Sequence, residues 1–235
     1  MRTKTIGAAA AALLTAGLLA GCTLQVEDGS KEPVAKPPAS VAAKPTGLAS
    51  RPPAEILRQA EAALRGASSF RATAKDADLQ VNRRGVKGWL RQDGVRVDLV
   101  IVGDRVYFRG RKFWAAQDPR AGRFFGDAWV DVTGGGAGDV EDLADYLSVK
   151  GFADSFKTDV VRKVRFTKVT ERTIDGVRVV RLTGPGATLD VAATGSPYPL
   201  RFDSSKDDED LTLTAFGRPV TITAPKDAVT PPSGA

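Results

Sequence analysis

Apolar and polar side chains alternate along most of residues 70–222, in short segments separated by turns that contain glycine. This period of two is typical of strands with one buried face. Asp93-Gly94 and Asp175-Gly176 are two-residue turn signals of antiparallel hairpins. The pattern predicts a meander of short antiparallel strands that runs through Phe113-Trp114 and ends with a strand at 220–222.

Three segments show helical spacing instead. A helix is predicted to begin at Pro52-Pro53 and to stop near Gly66, with apolar residues on one face only. A second helix is predicted after Asp139, and a short helical stretch within 152–161. Together with the strands they predict an antiparallel sheet that curls over helices, with one face buried and the other exposed to solvent.

One set of alternating apolar residues has two interpretations. It lines an apolar cavity that takes a lipid, or it is the filled core of a half-buried sheet. The set comprises Leu90, Val95, Val97, Leu99, Ile101, Val106 and Phe108.

Composition excludes several kinds of chemistry. The chain has no histidine and one cysteine, so Ser-His-Asp and Cys-His catalysis and most histidine metal sites are excluded. We therefore predict no catalytic residues, no metal and no cofactor beyond a covalent lipid. The formal net charge of +6 is modest, and we expect no nucleic-acid partner.

The N-terminus combines Arg2 and Lys4 with an uncharged apolar run over 6–21. The run is shorter than the ~20 apolar residues that cross a bilayer, which favours a secretory signal. Its end, Leu19-Ala20-Gly21-Cys22, resembles the lipobox of bacterial lipoproteins. That resemblance implies cleavage before Cys22 and a diacylglyceryl group, with acyl chains such as palmitate, on its thiol. An ordinary signal peptide that happens to end at a cysteine is the alternative.

The domain boundaries follow from composition. Residues 1–21 are predicted to be the lipoprotein signal peptide, and the proline- and alanine-rich stretch 22–53 a disordered tether. Residues 54–226 form the folded domain, and 227–235 are predicted to be a disordered tail.

The order of several short motifs resembles LppX/LprG-type cell-envelope lipoproteins. The motifs are residues 104–110 with Phe113-Trp114, then 128–130, 175–177, 199–202 and 211–225. The resemblance covers about Pro53 to Pro225. It implies a mainly β (α+β) fold: a single curved antiparallel half-barrel sheet with helices on its concave side, related in shape to the LolA and LolB carriers. It also implies binding or shuttling of acylated lipids in an apolar cavity.

Three further motifs have simple interpretations. The glycine run at 134–138 lacks the Gly-Lys-Ser/Thr ending of a phosphate loop and is predicted to be a linker, or a lid if a cavity exists. The acidic run 207–210 lacks a calcium-loop pattern and is predicted to be a solvated turn. A basic group is either a headgroup contact or a wet strand face; it comprises Arg162, Lys163, Arg165 and Lys168.

These observations favour a non-enzymatic lipoprotein, anchored by its lipid on the extracytoplasmic face of the cell membrane, that binds or transfers acylated lipid. The alternative is a surface lipoprotein that acts as a sensor or scaffold and carries no lipid ligand. A hydrolase lacks a recognisable catalytic constellation in the sequence.

Overall fold

The computed structural model describes residues 47–133, 138–205 and 209–231. The helices are α1 (Pro53–Gly66), α2 (Arg111–Gln117), α3 (Pro119–Phe125), α4 (Gly138–Leu147) and α5 (Val149–Ser155), and α5 continues into a π-helical segment (Phe156–Val161). The strands are β1 (Ser69–Ala74), β2 (Ala77–Asn82), β3 (Gly85–Gln92), β4 (Val95–Val102), β5 (Arg105–Arg109), β6 (Val130–Asp131), β7 (Lys168–Ile174), β8 (Val177–Gly184), β9 (Ala187–Ala192), β10 (Pro199–Ser204) and β11 (Glu209–Thr214).

All the strands belong to one antiparallel sheet, in the order β6-β5-β4-β3-β2-β1-β11-β10-β9-β8-β7. Two meanders, β1–β6 and β7–β11, are joined where β1 pairs with β11 in the register Ala72 to Leu213. The sheet is curved and does not close, so β6 and β7 are its edges. The predicted mainly β half-barrel with helices on its concave side is confirmed.

The concave face of the sheet packs against the helices. α1 is amphipathic, and it buries Ile56, Ala60 and Leu64 in the main core. Phe70 on β1 meets Phe152 of α5 edge to face, with ring centroids 5.2 Å apart. Because α4, α5 and the π-helical segment follow β6 and precede β7, the helical crossover connects the two edges of the sheet.

The predicted strand around Phe113-Trp114 is wrong, because these residues lie in α2. The chain leaves β5 at Gly110, whose φ of 154° turns the backbone out of the sheet. α3 follows at once: the Asp118 side chain accepts a hydrogen bond of 2.7 Å from the Arg120 backbone N–H, and Pro119 occupies the first turn.

The predicted strand at 220–222 is also wrong. Both sides of β11 are already paired, with β1 and β10, so the chain directly after β11 cannot add a strand beside it. It instead runs as an extended C-terminal strap, residues 218–229, over the outer face of the sheet. The strap is fixed by hydrogen bonds from Asn82 Nδ2 to the Val220 carbonyl (2.9 Å) and from Lys87 Nζ to the Thr221 carbonyl (2.8 Å).

The boundaries of the folded domain differ from those predicted at both ends. Residues 47–50 form a 3₁₀ turn that buries Ala49, although they were assigned to the disordered tether. Val229, assigned to the tail, exchanges two 2.8 Å backbone hydrogen bonds with Trp129 and Asp131. Backbone pairing and apolar burial hold both segments.

Candidate functional site

A cleft of about 1110 Å³ lies between the helical layer and the concave face of the sheet. Its floor comes from β9, β10, β11 and the end of β1, which are neighbours in the sheet. Its roof comes from α5, the π-helical segment and the chain that leads into β7. The volume is slightly above the usual range for small-molecule sites.

The floor of the cleft is a row of apolar side chains across adjacent strands. Phe202 on β10 lies opposite Leu189 on β9 and Leu211 on β11. Side chains at directly opposed positions point to the same face, so this row forms one continuous surface. Leu213 and Ala187 extend it along the strands, and both are buried.

The roof is set by the geometry of the helical crossover. Phe152, Phe156 and Val160 are spaced by four residues and all line the cleft. In the π-helical segment the Arg162 N–H donates to the Lys157 carbonyl five residues earlier, at 3.2 Å. Such wide turns occur often at functional sites.

Close packing between α4 and α5 fixes the roof at Gly151. A Cβ placed there would lie 2.1 Å from the Asp145 carbonyl oxygen and 2.3 Å from that of Tyr146. Only glycine therefore allows α5 to turn back so close to the end of α4. The Ser148 hydroxyl caps α5 by accepting a 2.9 Å hydrogen bond from the Gly151 N–H.

The mouth of the cleft is charged, whereas the floor is apolar. Asp159 and Lys163 form an ion pair at 2.8 Å, and Arg165 lies beside them on the exposed chain before β7. Of the basic group predicted from sequence, Lys163 and Arg165 border the cleft, and Arg162 and Lys168 do not. The arrangement suits a ligand with an apolar body and a polar end.

The residues predicted to line a cavity are not in this cleft. They lie on β3, β4 and β5, in the other half of the sheet, where Leu99, Ile101 and Val106 are fully packed in the core. Leu90 and Phe108 pack against that core, Val97 is buried, and Val95 is half-buried at the start of β4. In the structure Leu99, Ile101 and Val106 therefore belong to the packed core and not to the cleft. Period-two spacing shows which side chains face the concave side of the sheet. It does not show which of them lack a packing partner in the helical layer.

A second, smaller hollow of about 390 Å³ lies on the outer face. Asp98 bridges Arg96 (3.0 Å) and Arg109 (2.8 Å) there, and the Arg96 guanidinium lies 4.8 Å from the Trp89 ring centroid. Its charges are thus largely paired with one another, and the hollow is shallower than the cleft.

Several predicted features lie outside the described residues: the signal peptide, the lipobox with Cys22, the glycine run at 134–137 and most of the acidic turn. Within the described ranges, none of the helices is long and apolar enough to cross a membrane. In the same ranges no three acidic, cysteine or histidine residues lie together as metal ligands.

No protein-family model matches the sequence, and no curated protein matches it either. The structure is similar to the crystal structure of LprF from Mycobacterium bovis, with a TM-score of 0.52 and 18% sequence identity. The match covers 73% of this chain and 96% of the LprF chain. The resemblance to LppX/LprG-type lipoproteins is thereby confirmed at the level of the fold. In this chain the cleft lies under the helical crossover, and the chain has the open, curved β-sheet fold of LprF.

Proposed function

We propose that the protein is a lipid-anchored envelope protein that binds acylated lipid non-covalently in the cleft. The observation that carries the proposal is the apolar floor formed by the half-buried Phe202 and Leu211, backed by the fully buried Leu189, beneath a roof of Phe152 and Phe156. Acyl chains bury their surface there with a gain of roughly 25 cal/mol per Å². The charged mouth leaves the polar end of the lipid in water.

The lipobox-like sequence and the fold support this proposal from two other directions. A diacylglyceryl group on Cys22 would hold the domain at the extracytoplasmic membrane surface, since two acyl chains anchor a protein stably. A cleft on a tethered domain is then always close to a supply of lipid. Binding, rather than catalysis, is the activity proposed, with no cofactor other than the anchor itself.

The alternative function, a sensor or scaffold without a lipid ligand, expects a filled concave face. The β3–β5 half of the sheet meets that expectation, whereas the cleft lies over the half-buried Phe202 and Leu211 of the β9–β11 half. We therefore favour a lipid binder.

Organic extraction of the freshly purified protein, followed by mass spectrometry, tests the proposal. We expect acyl lipid in stoichiometric amount from the unaltered chain. Ala187→Phe places a ring into the cleft from β9 and should displace most of it. Thr188→Phe is the matched control, because the neighbouring side chain points to the outer face. Absence of acyl lipid from extracts of the unaltered protein, or equal amounts of bound lipid in the two variants, would contradict the proposal.

A further inference from the structure

The hairpin formed by α2 and α3 carries the most exposed large apolar side chain of the described residues. Phe124 is 73% exposed. It stands at the end of a row of ring contacts in which Phe113, Trp114, Phe125 and Phe124 follow one another at centroid distances of 4.9, 5.2 and 5.1 Å. The row begins in the sheet, where Phe108 of β5 contacts Phe113 at 5.7 Å. Phe124 is therefore supported by packed rings and not carried on a loose loop.

The hairpin is itself tightly packed. A Cβ at Gly122 of α3 would lie 2.5 Å from the Ala115 Cβ of α2, so the two helices touch at their backbones. The side-chain cap from Asp118 fixes the link between them. The exposed ring is thus presented in one orientation.

The hairpin that carries the exposed ring also carries unpaired positive charge, alongside the exposed carboxylates of Asp118 and Asp127. Lys112, Arg120 and Arg123 are exposed, and none of them forms an ion pair with the described part of the chain. The arginines on the outer face of the sheet differ in this respect: Arg71, for example, is paired with Asp78 at 2.6 Å. A projecting aromatic ring within a basic surface is the pattern of elements that lie at the interface of an anionic membrane.

The hairpin lies at the same end of the sheet as the mouth of the cleft. Pairing of Ala77 with Leu90, and of Leu90 with Val97, places the β1–β2 turn, the end of β3 and the start of β4 at one end. β5 reaches this end at Arg109, and α2 begins there. Asp76 and Gly186, which line the cleft, are in turns at that end too. The mouth residue Arg165 is at the same end, because its carbonyl oxygen lies 2.6 Å from a Cβ placed at Gly184, where β8 ends.

We propose that the α2–α3 hairpin docks the protein on an anionic bilayer surface, with Phe124 inserted at the level of the headgroups and Lys112, Arg120 and Arg123 against lipid phosphates. Docking in this way turns the mouth of the cleft toward the bilayer. The proposal concerns the outer surface of the hairpin, so it is independent of what the cleft holds.

Vesicle sedimentation tests this docking without the anchor. The probe is the chain from residue 22 onward with Cys22→Ser, which contains every described residue and no acyl group. We expect it to bind vesicles of phosphatidylcholine mixed with phosphatidylglycerol, to bind pure phosphatidylcholine far more weakly, and to be released by salt. Absence of binding, or equal binding to both vesicles, would overturn the proposal.

Matched variants locate the contact. Phe124→Ala should weaken partitioning roughly tenfold, the equivalent of burying one phenylalanine ring. Arg120→Glu with Arg123→Glu should weaken it by about tenfold or more. Controls at the opposite end of the sheet are Val177→Ala, at another exposed apolar position, and Arg84→Glu with Arg172→Glu. If the control variants lose as much vesicle binding, the assignment of the contact to the hairpin is wrong.

Two further readouts separate this proposal from its competitors. If Phe124 covers a second copy of the chain, Phe124→Ala lowers the molar mass in light scattering and leaves vesicle binding unchanged, which refutes docking. Ala187→Phe should empty the cleft and leave vesicle binding intact. Failure of the lipid-binding function is therefore distinguishable from failure of the docking surface.

Discussion

Asp131 shows how single polar residues are stabilised at the rim of the sheet. Its side chain is 10% exposed and accepts hydrogen bonds from Arg105, from the Thr133 N–H (3.1 Å) and from the Thr133 hydroxyl (2.6 Å). Burial works to raise the pKa of Asp131, but the hydrogen bonds from Thr133 and Arg105 outweigh it and hold the pKa below its usual value. The carboxylate form is therefore the one that the fold stabilises.

This balance predicts a pH dependence of stability. Because the folded-state pKa of Asp131 is lowered, its contribution is fully present above the unfolded pKa of about 4 and is lost as pH falls through the lower folded value. Asp131→Asn should lower the free energy of unfolding by about 1–3 kcal/mol at pH 7. It should also flatten the decline below pH 4. Urea unfolding at neutral and acid pH measures both effects, with Asp203→Asn as control, because the Asp203 side chain is 49% exposed and its ion pair with Arg201 is long, at 3.7 Å. An unchanged acid slope would contradict the assignment.

At the scale of single residues, the sequence predicted the conformation of some positions and gave no indication of others. Asp93 and Asp175 adopt positive φ angles of 50° and 49° at the hairpin turns where Asp-Gly pairs were identified, because turn chemistry is local. Phe124 gave no such signal. Its exposure depends on how two short helices pack, and no local pattern encodes that.

The C-terminal strap is the element that sequence patterns misassigned most plainly. Val220 and Ile222 alternate with polar residues as in a strand, but the alternation arises because one side of the strap covers the outer face of the sheet. Ile222 is 9% exposed and packs against Val100 and Tyr107. Alternation of apolar and polar residues therefore indicates that one side of a segment is buried. It does not show whether neighbouring strands or the face of a sheet bury that side.

The strap should contribute measurably to stability. We expect Ile222→Ala to lower the free energy of unfolding by about 2 kcal/mol, the cost of a truncated buried aliphatic side chain. Thr221→Ala should change it by less than about 0.5 kcal/mol, because the Thr221 side chain is exposed and Lys87 bonds to its backbone carbonyl. Chemical denaturation of the two variants measures both changes in the free energy of unfolding. Equal effects would show that the strap is held by its backbone alone.

At the scale of the whole molecule, sequence predicted the fold class and failed to locate the cleft. Strand periodicity and turn residues are repeated in both meanders, so they are enough to indicate one curved antiparallel sheet. The two meanders have the same inward alternation, however. Only the path of the helical crossover determines that the helices leave a cleft beside β9–β11 and none beside β3–β5 in the described residues.

The predicted anchor has its own test on the whole protein. If Cys22 carries a diacylglyceryl group, the protein produced in a bacterial host should enter the detergent phase on Triton X-114 separation. Cys22→Ser should move it to the aqueous phase, since the remaining chain has lost its two acyl chains. Aqueous partitioning of the unaltered protein would refute the anchor while leaving the cleft and the hairpin to be judged separately.

Joining the first strand of the sheet to the last has a consequence for how the chain matures. Thr73 and Thr212 meet across the β1–β11 pair although they are 139 residues apart. Contacts of such long sequence separation form slowly, and until β11 has been synthesised the growing polypeptide exposes unpaired backbone on both β1 and β10. Completion of the sheet thus waits until β11 has been synthesised, so the two meanders cannot join into one continuous sheet before that point.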